Sequence, residues 1–383
     1  MKDRVFVVGP GDAHSRFRYS GSRRRQRAFK ETKLTSVTWK FLLTAALACL
    51  WAAAAIANDE NIRAKLPGLV TEHITIPSDT PGIQLYIRNK RPKEFTVSPD
   101  RILLYVHGAT YPSETAFDLQ LGGMSWMDYI GAHGWDVYLV DLRGYGLSTR
   151  PPEMDRPPQE NPPLVTTDVA VRDVASAAEF IRKRRGVAKI NLLGWSWGTS
   201  IMGAYAAANN EKVNKLVLYA PLWLRNTPSQ LGGDGPLGAY RTVLKENAKK
   251  RWLAGVPEDK AADLIPSGWF EAWADATWAT DPQSKESGQL RAPNGVIQDV
   301  RNYWASGKPY YDPASIRVPT LIVHAEWDQD TPTYMSTALF GLLKNAPVKR
   351  YVEIGEGTHT VIMEKNRLQL FREVQLFLDE PSK

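Results

Sequence analysis

The chain has 383 residues, 43% of them hydrophobic and 23% charged, enough for one large α/β domain with an insertion or for two small domains. Its net charge of +7 belongs to the first 57 residues, which hold eleven Lys/Arg against three Asp/Glu, whereas the remaining chain holds 37 against 38. The body is therefore nearly neutral, which argues against nucleic acid as a partner.

The basic leader, with Arg23, Arg24, Arg25, Arg27, Lys30, Lys33 and Lys40, runs into the apolar stretch Phe41 to Ala57. A charged region, an apolar core and Ala55-Ile56-Ala57 before Asn58 describe a secretory signal with a small-residue cleavage site. The expected product is periplasmic or secreted. An uncleaved anchor is the alternative, because the stretch is nearly long enough to span a bilayer, and only then is a membrane a partner. Cys49 is the single cysteine and lies in this segment, so the exported body would have no disulfide.

Ile74 to Ile76 and Ile83 to Ile87 alternate like the strands of a hairpin around Pro81-Gly82. Six further strands are predicted at 102–106, 137–141, 190–193, 215–219, 320–323 and 350–354. They alternate with helical patterns at 124–132, 168–184, 199–208, 334–343 and 360–378. Alternation of this kind implies a mostly parallel sheet covered by helices on both faces, with ligands at the carboxyl ends of its strands. It stops between Leu222 and about Asp312, a stretch too long for a plain crossover. Helix-like pieces at 237–253 and 269–278 suggest a helical cap, with the core divided into residues 58–221 and 313–383. The proline-rich run Arg150 to Pro163 is an extended loop that either rims the entrance or merely connects.

Gly194-Trp195-Ser196-Trp197-Gly198 joins a predicted strand to a predicted helix. A G-x-S-x-G at such a turn strains the serine backbone and lifts its hydroxyl out, with glycines where a β-carbon would collide. Chance and ordinary helix starts also produce small residues in this pattern, so Ser196 needs partners. Three strand ends can supply them: Val106-His107-Gly108-Ala109, the turn from Ala325 through Asp328 to Pro332, and Gly357-Thr358-His359. The order is Ser, Asp, His. A fourth motif, Asp141-Leu142-Arg143-Gly144-Tyr145-Gly146-Leu147-Ser148, follows the strand at 137–141.

Together these motifs resemble the α/β-hydrolase superfamily, serine-nucleophile members with a cap, over about Glu72 to Asp379. The acid turn departs from the family pattern in having Ala325 where glycine is usual. The resemblance implies Ser196 as nucleophile, His359 as base, Asp328 as acid, and the backbone amides of Ala109 and Trp197 as the oxyanion hole. Asp330, two residues beyond Asp328, remains the rival acid. Relatives that dehalogenate or open epoxides attack with a carboxylate, and here the residue is serine. No spacing suggests a metal or a dinucleotide loop, so no cofactor is expected.

Six of the chain's thirteen tryptophans lie in the insertion, and three more flank the motifs: Trp195, Trp197 and Trp327. Trp195, Trp269 and Trp273 are the expected substrate-binding residues of an aromatic-lined pocket, with Trp269 and Trp273 sharing a helix face. The competing expectation is that the insertion's tryptophans form only its own core. The expected chemistry is hydrolysis of a carboxylic ester of a bulky apolar or aromatic substrate. Amide, peptide or C–C hydrolysis by the same three residues is the second expectation, and a non-catalytic binding protein on this scaffold the third.

Overall fold

The computed structural model describes residues 62–231 and 235–381. The leader, Cys49 and the cleavage position before Asn58 lie outside the described residues. Among the described residues no helix is long and apolar enough to cross a membrane.

The described residues form ten strands: β1 (Leu69–Pro77), β2 (Gln84–Pro92), β3 (Ile102–Val106), β4 (Asp136–Val140), β5 (Ile190–Trp195), β6 (Val213–Tyr219), β7 (Tyr240–Val243), β8 (Leu290–Pro293), β9 (Thr320–Ala325) and β10 (Lys349–Ile354). Eight form one sheet in the order β1-β2-β4-β3-β5-β6-β9-β10, the remaining two a separate antiparallel pair. β1 pairs antiparallel with β2, and β2 with β4. All later pairings in the large sheet are parallel. The central strands are buried end to end because both faces are covered, which explains their unbroken apolar runs. Successive residues enter opposite cores, as a period of two requires: Leu104 and Val106 pack on one side, Leu103 and Tyr105 on the other.

The expected elements recur with shifted ends. The helix expected from Thr360 starts only at Arg367, after a tight turn over Val361–Met363. Glu364 interrupts it with an extended backbone, and its carboxylate turns back to accept from the Thr358 amide. Helix Trp126–Ala132 is fixed at its start by a capping box in which Ser125 and Asp128 satisfy each other's amides.

Between β6 and β9 lies the insertion, with helices Lys245–Trp252, Glu258–Leu264 and Trp269–Trp278. It is not wholly helical, which corrects the expectation for 237–253. Tyr240-Arg241-Thr242-Val243, strand-forming side chains after a Pro/Gly stretch, pair as β7 with Leu290–Pro293. The proline-rich run docks on this pair: Ala239 donates to the Pro158 carbonyl at 2.7 Å, and Arg291 Nη1 to that of Met154 at 2.5 Å.

Candidate active site

Ser196 stands between β5 and helix Trp197–Ala208 with φ 58° and ψ −121°. A non-glycine residue with such a φ carries strain of about 1–3 kcal/mol, so the surrounding structure must hold it there. Two restraints do: the Ser196 amide donates to the Tyr219 carbonyl on β6 at 2.9 Å, and Thr199 Oγ1 donates to the Ser196 carbonyl at 2.5 Å. The flanking glycines are sterically required. A β-carbon on Gly194 would lie 2.3 Å from the Gly198 carbonyl oxygen, and one on Gly198 would lie 2.6 Å from that of His107.

His359 follows β10 and is fixed from both ends. Its carbonyl accepts from Trp195 Nε1 at 3.1 Å and from the Tyr219 hydroxyl at 2.9 Å. Its Nδ1 meets Asp328 Oδ2 at 2.8 Å. Asp328, in the turn after β9, also accepts at Oδ1 from the amides of Asp330 (2.9 Å) and Thr331 (2.8 Å), and at Oδ2 from Thr331 Oγ1 at 2.8 Å. Burial alone would push the Asp328 carboxyl up, but the imidazole and these donors outweigh it and hold it below the ordinary range. Burial alone would likewise push His359 down, and the charges of Asp328 and then Asp330 reverse this, so the imidazole titrates above its ordinary value. Ser196 and His359 line one cavity. Among the described residues no hydrogen bond joins them directly, a contact that often tightens only when substrate is bound.

Asp330, the rival acid, points elsewhere. Its carboxylate accepts from Arg251 Nε at 2.9 and 3.0 Å. Arg251 comes from helix Lys245–Trp252 of the insertion and faces the same cavity.

The amides of Ala109 and Trp197 have no hydrogen-bond partner among the described residues. Trp197 opens its helix, where an amide has no intrahelical acceptor. Ala109 lies in the loop after β3 and lines the cavity together with Ser196. The Trp197 side chain points away, buried with its Nε1 on Thr167 Oγ1 at 2.9 Å.

The cavity, open to solvent, spans about 410 Å³ and is walled by Tyr111, Trp195, Trp252 and Trp273. Trp273 stands edge-on to Tyr111 (4.8 Å between ring centres) and to Trp252 (5.1 Å), so it is both cap core and cavity wall. Trp195 stacks on Tyr219 beneath the histidine. Trp269 is not among the lining residues, which corrects the expectation that it binds substrate with Trp273. It opens its helix beside Gly122 and lies under the Arg367 guanidinium, 4.4 Å from the ring centre. A smaller cavity of about 300 Å³ opens on the other side of Ser196, against Leu222, Val296 and Val300.

Arg251 and Glu364 also belong to the site, although neither stands out in the sequence. Arg251 ends the run Lys249-Lys250-Arg251, which reads as a solvated helix face. Glu364 is buried and accepts from the Thr358 amide at 3.0 Å, from the Thr358 hydroxyl and from Trp252 Nε1 at 2.8 Å. Burial raises its carboxyl to about 7. It thus ties the residue before His359 to the insertion, and no local spacing announces it. The other histidines are occupied differently: His107, pushed down to about 4 by burial, accepts the Leu142 amide at Nε2, and His324 meets Ser336 Oγ. The Asp141–Ser148 loop is scaffold, with Asp141 accepting from the amides of Ser113 and Leu147, and Arg143 paired with buried Asp173. Among the described residues no group of three or more His, Cys, Asp or Glu is arranged to hold a metal ion.

The family model for the α/β hydrolase fold matches residues 102–366. A proline iminopeptidase of Neisseria meningitidis serogroup A / serotype 4A (strain DSM 15465 / Z2491) is 23% identical over 246 residues, 57% of this chain and 73% of the relative. A membrane phospholipase A described as a bacterial virulence factor superposes with a TM-score of 0.52 at 17% identity, covering 91% of this chain and 98% of that one. A meta-cleavage product hydrolase from Pseudomonas fluorescens IP01 gives 0.54 at 16% identity, covering 80% and 97%. A thermophilic esterase from Thermogutta terrifontis gives 0.51 at 16%, covering 80% and 98%. These structural likenesses speak to the fold.

Proposed function

The chain belongs to the α/β-hydrolase family, and from that premise we propose that it is a serine hydrolase cleaving a carboxylic ester of a bulky apolar or aromatic substrate. The observation that carries this reading is the 2.8 Å contact of His359 Nδ1 with Asp328, in a histidine that lines one cavity with the strained Ser196. Ser196 Oγ attacks the acyl carbon while its proton passes to His359 Nε2. The amides of Ala109 and Trp197 donate to the resulting oxyanion, each worth about 10²–10³ in rate. His359 returns the proton to the leaving alkoxide as the C–O bond breaks, giving the acyl-enzyme. Water then attacks, its proton again taken by His359 and returned to Ser196 as the acid departs. Asp328 keeps Nδ1 protonated and stabilises the imidazolium. The walls of Tyr111, Trp195, Trp252 and Trp273 support an apolar or aromatic substrate body.

A second reading, amide or peptide hydrolysis by the same groups, is favoured by the likeness to proline iminopeptidases. Against a cationic amine substrate stands the pairing of Asp330, the cavity's carboxylate next to His359, with Arg251. Aryl esters, the matching anilides and a vinylogous diketone, offered to the wild type and to Ser196→Ala, separate the readings. Turnover of esters well above anilides and diketones, lost in Ser196→Ala, is the expected result, and anilide or diketone preference overturns the ester assignment.

The leader supports an export role as well. We propose a periplasmic or secreted enzyme beginning at or near Asn58. Mass spectrometry of the protein from its native host tests this, and a chain that keeps Phe41 to Ala57 in the membrane fraction would favour the anchor.

A further inference from the structure

Beside the Ser196 cavity lies an open groove of about 890 Å³ that shares Tyr111, Ala248 and Arg251 with it. Its remaining charged lining residues among the described residues are Arg241 and Lys250, with no carboxylate among them. The Arg251 charge is matched by Asp330. Arg241 has no such match among the described residues, where all its hydrogen bonds run to neutral oxygens: Nη1 to the carbonyls of Pro293 (2.7 Å) and Ala292 (3.4 Å), Nη2 to Thr110 Oγ1. Thr110 is the residue after Ala109 and has φ 86°, so the guanidinium is braced against the loop expected to bind the oxyanion.

A half-buried cation with no counter-ion among the described residues is costly to maintain. Burial, together with the nearby Arg251 charge, accordingly holds the Arg241 pKa below its ordinary value. Only three of the five N–H donors of its planar fork are engaged with these oxygens, so the fork retains capacity for an anionic oxygen pair. β7 and β8 fix its backbone, with Arg241 opposite Ala292. The position is preorganised, cationic and adjacent to the acyl site.

We propose that Arg241 is the anchor of an anion subsite, and that the substrate carries a carboxylate held there while its ester lies at Ser196 and its apolar body against the tryptophans. Lys250, exposed at the groove rim, adds long-range attraction for the same charge. The inference rests on the serine-hydrolase reading for its substrate. The anion subsite is testable without it.

Two probe pairs place the carboxylate on either side of the ester: para-nitrophenyl hydrogen glutarate against para-nitrophenyl valerate, and para-acetoxybenzoate against para-tolyl acetate. The anionic-to-neutral ratio of kcat/KM is compared between wild type and Arg241→Gln, so that intrinsic ester reactivity cancels. For at least one pair the ratio is expected to fall roughly 10- to 100-fold, the scale of a lost charge-assisted hydrogen bond, and to recover in part in Arg241→Lys. Calorimetric titration with phenylacetate should show binding to wild type that weakens at least about 10-fold in the glutamine variant. Equal losses for anionic and neutral esters, or phenylacetate binding that is absent from wild type or indifferent to Arg241, overturn the proposal. If Arg241→Gln does not fold by circular dichroism, the lysine variant carries the test, since it keeps the charge and loses the fork. If neither ester is cleaved and Ser196 resists a fluorophosphonate, the hydrolase reading fails, and the phenylacetate titration alone decides the subsite.

Discussion

Replacing Glu364 by glutamine removes a carboxyl that burial has raised from an ordinary 4.5 to about 7. Its raised folded pKa means that the buried acid favours the folded state fully below about 4.5 and loses that contribution as pH rises through about 7. A shift of this size corresponds to about 3 kcal/mol between the two limits. Glutamine with its oxygen in the Oε1 position still accepts from Trp252 and the Thr358 hydroxyl but turns its NH₂ toward the Thr358 amide, a pH-independent loss of about 1–2 kcal/mol. Glu364→Gln should therefore be the less stable protein at pH 5, and its deficit should shrink and then reverse by about pH 8.5. At roughly 2 °C per kcal/mol for a domain of this size, and with about 2.5 kcal/mol of the linkage falling between pH 5 and pH 8.5, the difference in Tm changes by roughly 5 °C across that range. Scanning calorimetry of both proteins in parallel provides the measurement, and the contribution of His359, common to both, cancels in the difference. Parallel curves of Tm against pH would refute the buried, ionisation-linked role of Glu364.

Asp328→Asn should lower turnover of an aryl ester by roughly 10⁴-fold, as loss of the acid does in other triads, and Asp330→Asn far less; steady-state kinetics showing the opposite ranking would reassign the acid. Because the Asp328 charge raises His359, kcat/KM should fall on the acid side around a midpoint above 6.5 and that midpoint should drop in Asp328→Asn; a wild-type midpoint below 6.5 contradicts the coupling. Trp273→Ala should depress bulky aromatic esters far more than acetyl esters, whereas Trp269→Ala should change Tm without changing that preference. Proportional losses across both ester classes for Trp273→Ala would reduce it to core packing.

The parallel core was legible because its strands are buried on both faces and therefore print as continuous apolar runs, as at Ile102–Val106. The serine turn was legible because its glycines answer a local collision, Gly194 against Gly198. Which of two nearby carboxylates meets the histidine is a matter of tertiary packing: the Arg251 that occupies Asp330 comes from 79 residues upstream. The same holds for Glu364, whose donors include Trp252 on a distant helix. Within the insertion, helical periodicity over 237–253 concealed a strand, since the pairing of Tyr240–Val243 with Leu290–Pro293 depends on a partner about fifty residues away. Trp269 and Trp273 share a face by spacing alone, yet the first meets Arg367 and the second the cavity, because the end of a helix faces different neighbours from its middle.

An activated Ser196 should react with a fluorophosphonate in the intact protein, and peptide mass spectrometry locates the adduct. Stoichiometric phosphonylation at Ser196 is expected, with loss of ester hydrolysis in step with labelling and no adduct in Ser196→Ala or Asp328→Asn at matched times. A wild-type protein that cleaves esters while Ser196 stays unmodified, or a Ser196→Ala variant that cleaves them at the wild-type rate, would remove Ser196 from the chemistry.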